Sequence, residues 1–265
     1  PGKHTPYFEL LDAQTKAGCP ICRLVFKATD RYLDSILYEA VLDREVRAKL
    51  KKAQGFCAHH IEILRGHPGR ALGIALIYRD IIRSLAETAD GERFRKGSAA
   101  SAMGKLMGRG GDRPPIVHKL TAHGECPACT VGEDAERYFL DLLVAHIGEE
   151  QLQEAYAAGE GLCLPHFLKA LERVEDEETF ERLVRPQVKR YLQMLGDLDE
   201  FIRKRDHRFT KEAYGGEGDV WLRAMNAISG GAGMGLSARS GGRRAADLEG
   251  YADTLSAGAK ARRRD

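Results

Sequence analysis

The stretch "GFCAHH", residues 55–60, has a sibling in "GLCLPH", residues 161–166. Each runs glycine, bulky apolar residue, cysteine, then histidine three positions on, pairing Cys57 with His60 and Cys163 with His166. Upstream of each lies a shorter motif, "CPIC" at 19–22 and "CPAC" at 126–129. Together the four motifs use all six cysteines of the chain, so one arrangement has to account for every thiol.

Zinc favours four tetrahedral ligands, and thiolate sulfur with imidazole nitrogen suits it. Residues three apart on a helix share a face, so C-x2-C and C-x2-H each offer two ligands from a single turn. Read along the chain, the motifs form two quartets. The first is Cys19, Cys22, Cys57 and His60; the second is Cys126, Cys129, Cys163 and His166, with an exchange of ligands between the two halves left open by the sequence. The 34 and 33 residues between the two motifs of each quartet leave room for a helix out and a helix back. Each quartet is therefore expected to clamp the base of a helical hairpin, with Gly55 and Gly161 supplying the tight turn into the third cysteine. Three thiolates and a neutral imidazole fill every position on a Zn(II) ion, the pattern of a structural site and not a catalytic one. Two zinc ions are expected. An iron–sulfur cluster with histidine in place of one cysteine stays open at this stage, as does a redox or thiol-sensing use of the same groups. Six buried cysteines acting as small hydrophobes would not explain the matched spacing. The C-P-x-C motifs resemble thioredoxin-type dithiols, yet no βαβ pattern surrounds them.

The likeness of the halves goes beyond the ligands. Arg31 and Tyr32 follow Cys22, Arg137 and Tyr138 follow Cys129, and each pair leads into an apolar run, "LDSILYEAVL" or "FLDLLVAHI". This reads as an internal duplication at a spacing of roughly one hundred residues, longer than common solenoid periods. Helical signals dominate. Pro20 and Pro127 suit the first turn of a helix; Leu24, Val25, Ala28, Tyr32, Leu33 and Ile36 fall at helical spacing. Residues 40–53, 71–86 and 177–206 read as further helices, with Pro186 kinking or opening part of the last. Period-two runs bounded by hairpin turns are lacking. The expected fold is all-α, a helical bundle of two pseudo-repeated hairpin units spanning 5–89 and 116–228. Between them, 90–115 reads as a flexible basic linker, and 229–265 as a disordered Gly/Arg-rich tail.

Other features argue for little. Against 41 Lys and Arg stand 39 Asp and Glu, a net charge of +2 that does not call for nucleic acid. The arginines of the final "KARRRD" lack interleaved aromatics. No apolar run is long enough to span a membrane. "PGKHTPYFELLDAQ" has no apolar leader core, so a cytoplasmic location is expected. His59 reads as solvent-facing or as a donor behind the ligands, and His118 and His123 as weak substitutes for a ligand. "GGAGMG" at 230–235 lacks the Lys-Ser/Thr of a phosphate loop and reads as tail composition. Glu133, Asp134 and Glu136 read as a solvated helix face. Trp221, Leu222, Met225 and Ile228 make a short amphipathic helix that either packs on the bundle or docks on a partner.

"CPICRLV…RYLDSILYE", "GFCAHH", "ALGIALIYRDII", "CPAC", "GLCLPH" and "RFTKEAYGGEGDVWLRA" together resemble the DUF6062 proteins, a bacterial and archaeal family of unassigned function. The resemblance runs from about residue 5 to 228, and its most specific part is the cysteine–histidine motifs. It implies no activity. The reading leans away from an enzyme, since no acid–base constellation stands out. It favours a zinc-binding interaction or regulatory module with a protein partner.

Overall fold

The computed structural model describes residues 5–67, 69–93, 115–209 and 211–230. Among them lie eleven α-helices and no strand, so the chain is all-helical as expected. In chain order they are α1 (Thr5–Gln14), α2 (Pro20–Tyr38), α3 (Arg44–Ala53), α4 (Ala58–Arg65), α5 (Ala71–Asp90), α6 (Pro115–Leu120), α7 (Pro127–His146), α8 (Glu150–Ala158), α9 (Leu164–Leu171), α10 (Glu177–Lys204) and α11 (Val220–Ser229).

Local chemistry sets the ends. Pro20 and Pro127 open α2 and α7, where the missing N–H costs nothing. Asp43 caps α3 by accepting from the Val46 N–H, and Asp176 caps α10 by accepting from the Thr179 N–H. Pro186 lies inside α10 without ending it.

Two compact units form, and they are not the sequential halves expected. One comprises residues 1–26 and 136–265; the other comprises 27–135. The boundary falls inside α2 and inside α7, so each of these helices begins in one unit and ends in the other. Most of the expected linker and the expected tail lie outside the described residues.

In the first unit α1 packs on α8, α8 on α10, and α11 on both α9 and α10. Leu10, Ile21, Leu140, Leu143, Ile147, Leu152, Tyr156, Leu162 and Leu183 are fully buried there. Of α11, Val220 is buried, while Trp221, Met225 and Ile228 point outward. The amphipathic helix thus docks by a residue other than its aromatic. In the second unit α3 and α6 pack on α5. Its core gathers Leu33, Ile36, Leu37, Leu50, Phe56, Leu64, Ile77, Ile81 and Ala128.

Truncating Leu143, which is 0 % exposed, should cost about 2–5 kcal/mol as Leu143→Ala. Leu72→Ala, at a position 74 % exposed, should stay within about 0.5 kcal/mol of the parent. Urea denaturation of both variants checks the pair.

Candidate metal centres

The four motifs all sit at helix starts. Cys19 and Cys126 immediately precede the prolines that open α2 and α7, and Cys22 and Cys129 lie in the first turns. Cys57 and Cys163 occupy the N-cap positions of α4 and α9, with nearly the same backbone angles, φ −67°, ψ 164° and φ −68°, ψ 159°. His60 and His166 follow within the first turn of each helix. Unpaired backbone N–H groups at a helix start favour negative charge, which suits thiolates.

All eight predicted residues converge, but not in the predicted quartets. One group is Cys19, Cys22, Cys163 and His166; the other is Cys57, His60, Cys126 and Cys129. Each C-x2-C meets the C-x2-H of the opposite half of the sequence. The lengths of the helices explain the exchange. At 1.5 Å per residue, α2 is about 28 Å long and α3 only about 15 Å. Likewise α7 runs about 30 Å and α8 about 13 Å. A helix out is not matched by the helix back, so a C-x2-H has not come back to the C-x2-C that it follows. With the crossed pairing, each group lies wholly within one compact unit.

In the first group, Nδ1 of His166 lies 3.4 Å from Cys19 Sγ, 3.3 Å from Cys22 Sγ and 3.0 Å from Cys163 Sγ. Cys22 and Cys163 sulfurs are 3.7 Å apart. The far nitrogen of the ring, Nε2, is 2.8 Å from Glu136 Oε1. Glu136 also accepts from Lys169 Nζ at 2.6 Å, which fixes the carboxylate. A carboxylate on the outer nitrogen sets the tautomer and turns the inner lone pair toward the sulfurs, the arrangement common behind metal-bound histidines.

The loop that delivers Cys163 is gripped from α10. Gln187 accepts from the Leu162 N–H at 3.1 Å and donates to the Leu162 carbonyl at 2.9 Å. Arg190 donates to the carbonyls of Gly159 and Tyr156 and stacks over the Tyr156 ring. Gly161 has φ +79°, and a Cβ there would lie 2.6 Å from Gln187 Oε1, so the grip requires glycine. Glu160 accepts from the Gly18 N–H, tying this loop to the one that precedes Cys19. At the end of α11, Gly230 has φ +73°, and a Cβ on it would sit 3.0 Å from Cys163 Sγ and 3.6 Å from Cys22 Sγ. Backbone thus closes over the sulfurs at a point where no side chain fits.

In the second group, His60 Nδ1 lies 3.1 Å from Cys57 Sγ and 3.5 Å from both Cys126 and Cys129. The Cys57 and Cys129 sulfurs are 3.6 Å apart. Gly55 takes φ +97° against the Tyr78 ring, and Tyr78 Oη accepts from the Phe56 N–H at 3.4 Å. So a residue of α5 braces this cysteine loop, as Gln187 and Arg190 brace the other. Gln54 donates to the Leu120 carbonyl and the His123 N–H donates to the Lys52 carbonyl, tying the two loops of the group together. His59 sits against His60 edge-on, and is exposed. His118 and His123 lie with ring centroids 5.1 Å apart and belong to neither group.

Without a cation the thiols share charge unevenly. Hydrogen bonds from Cys19 and Cys22, with help from His166, hold the Cys163 thiol far below its ordinary value. Burial and the neighbouring cysteines push Cys19 up. Burial lowers His166, but the bonds to Cys163 and Cys22 outweigh it and raise the imidazole to about 10. In the second group burial, with the bond to Cys57, drives Cys129 up to about 12. Burial also raises Cys57, yet the His60 backbone N–H and the bonds to Cys129 and Cys126 leave it lowered. One sulfur in each group is primed to be a thiolate while another resists ionisation. Three ionised sulfurs at these distances need a cation among them. The donor sets fit a soft, tetrahedral divalent metal.

The sequence reading missed four residues. Glu136 sits seven positions after Cys129 in a cluster that looks solvated, and nothing local marks it as the partner of His166. Gly230 begins the glycine run assigned to the tail. Gln187 and Arg190 were readable as an anomaly, polar residues on the buried face of α10.

Such a fold and such sites define a class, an all-helical protein with two groups of three cysteines and one histidine able to hold metal. The chain belongs to the family described as "Family of unknown function (DUF6062)", which it matches over residues 6–234. It is similar to the "Uncharacterized 23.9 kDa protein in xynA 3'region" of Caldicellulosiruptor sp. (strain Rt8B.4), 23% identical over 218 residues that cover 80% of this chain and 95% of the relative. No solved structure matches it.

Glu136→Gln should weaken metal retention at the His166 group by about 10–100-fold and leave the His60 group unchanged. Gly230→Val should weaken the same group through overlap with Cys163. A two-step chelator titration reads both, with the His60 group as internal control.

Proposed function

We propose that the protein is a non-enzymatic zinc protein, with two structural ions held by Cys19, Cys22, Cys163 and His166 and by Cys57, His60, Cys126 and Cys129, and that it serves as an interaction or regulatory module. The observation that carries the reading is the closure of both groups. In each, three sulfurs and one imidazole nitrogen lie within 4.8 Å of one another. Four protein donors saturate a tetrahedral ion and leave no place for substrate or water. The Glu136 carboxylate behind His166 supports a built metal site over a chance cluster. Structural zinc contributes roughly 10–16 kcal/mol of apparent binding energy in small peptides, comparable to the whole stability of a domain. The ions therefore act by holding the four loops in place. The interaction role is supported by α11, whose Trp221, Met225 and Ile228 form an outward apolar face. No helix among the described residues is long and apolar enough to cross a membrane.

Elemental analysis of protein purified without added metal should give two zinc equivalents per chain and a colourless solution. Paired substitutions test the partition. Cys19→Ser with Cys163→Ser should remove one equivalent, whereas Cys19→Ser with Cys57→Ser should remove both. Less than about one equivalent in the parent protein, or a brown protein carrying iron, would sink the zinc reading.

A further inference from the structure

Arg190 of α10 is the one buried arginine among the described residues, 9 % exposed. Its Nε donates to the Gly159 carbonyl at 2.5 Å and its Nη2 to the Tyr156 carbonyl. Nη1 is buried and meets no hydrogen-bond partner among the described residues. No carboxylate forms an ion pair with it there. Glu160 acts on it from a distance, but that side chain is exposed and holds the Gly18 N–H at 2.6 Å. Burial outweighs these neighbours and leaves the guanidinium lowered. A buried charge is ordinarily paired, because the loss of water is costly unless an opposite charge replaces it.

The cysteine–histidine group of the same unit supplies that opposite charge when it holds an ion. Three thiolates, a neutral imidazole and a divalent cation sum to about −1. Cys22, Cys163 and His166 are buried, so water screens this charge poorly. Gly161 lies against the guanidinium, since a Cβ there would be 2.9 Å from Nη1. Cys163 follows two residues later, a span of at most about 7 Å. The Tyr156 hydroxyl feels both sides: burial raises the phenol, Arg190 lowers it and Cys19 raises it. Of the other cations near the group, Lys169 is held by Glu136, and Arg23 is half-buried with its guanidinium turned to the Ala17 carbonyl. In the second group the three cysteines are half-buried, so water itself can screen their charge.

We infer that Arg190 is the counter-charge of the His166 group: its guanidinium offsets the net negative charge of three cysteines bound to a divalent cation, and so raises the affinity of this group for its ion. The inference rests on the metal reading. It adds to the hydrogen bonds by which Arg190 holds the loop an electrostatic role that those bonds do not require. Arg190 is thus a positioning residue by its fork and a charge partner by its cation. Two unit charges about 12 Å apart, at an effective dielectric constant of about 20, are coupled by about ten-fold in an equilibrium constant.

Zinc titrated into the metal-stripped full chain, in competition with a chromophoric chelator, tests the assignment, and the His60 group is the internal control. Lysine and glutamine at position 190 can both donate to carbonyls, but only lysine keeps the charge. Arg190→Gln should weaken zinc binding at the His166 group about ten-fold, and Arg190→Lys should stay within about three-fold of the parent. Both should leave the His60 group unchanged. Equal losses in the two variants reduce Arg190 to a grip on the loop and overturn the inference. Should Arg190→Gln fail to fold, Arg190→Lys decides alone: a loss beyond about three-fold overturns the inference, and retention within it upholds the charge. A parent chain that takes up no added zinc overturns the metal reading and this inference with it. Two bound ions with equally weakened variants overturn this inference alone.

Discussion

Three thiols and an imidazole within one coordination sphere are a costly assembly for a chain on its own. Each sulfur that ionises raises the cost of ionising the next, and burial penalises all of them. The uneven protonation of both groups, with Cys163 held low and Cys19 pushed up, is that cost made visible. The chain nonetheless brings the donors together with many separate contacts: glycines at positive φ, carbonyls held by Gln187 and Arg190, a tyrosine ring under Gly55, a carboxylate behind His166. Under the proposed function a divalent cation removes the repulsion, and these contacts become the means of presetting its geometry.

The helices depend on the same constraint. A helix start leaves N–H groups unpaired, and here the cysteines sit at four helix starts. Cys57 and Cys163 hold the N-cap positions of α4 and α9, positions where serine or aspartate would be preferred for helix stability alone.

Much of this was legible in the sequence, and the division follows a physical line. Helix periodicity is local, so α2, α3, α5 and α10 were readable to within a few residues of their ends. The eight residues that converge were readable as well, because spacing of three is itself a geometric statement about one turn. Which motif meets which was not. That depends on the difference between two long lengths, α2 against α3 and α7 against α8, and the spacing of 34 and 33 residues hides how unequally each interval is divided. Glu136 and Gly230 escaped for a related reason. Their roles are set by residues thirty to two hundred positions away, and in isolation each resembles its bland neighbours.

The two groups are also unequal, and the inequality follows from their surroundings. Cys22, Cys163 and His166 are buried, Glu136 holds the outer nitrogen of His166, and the backbone at Gly230 closes over the sulfurs. In the other group Cys57, Cys126 and Cys129 are only half-buried, and the neighbour of His60 is the exposed ring of His59. Water and chelators reach a metal through its exposed ligands, and a histidine whose outer nitrogen is anchored leaves the ion less readily than one that is free to turn. Under the proposed function, the group at His166 would therefore keep its ion longer, and the group at His60 would release its ion first.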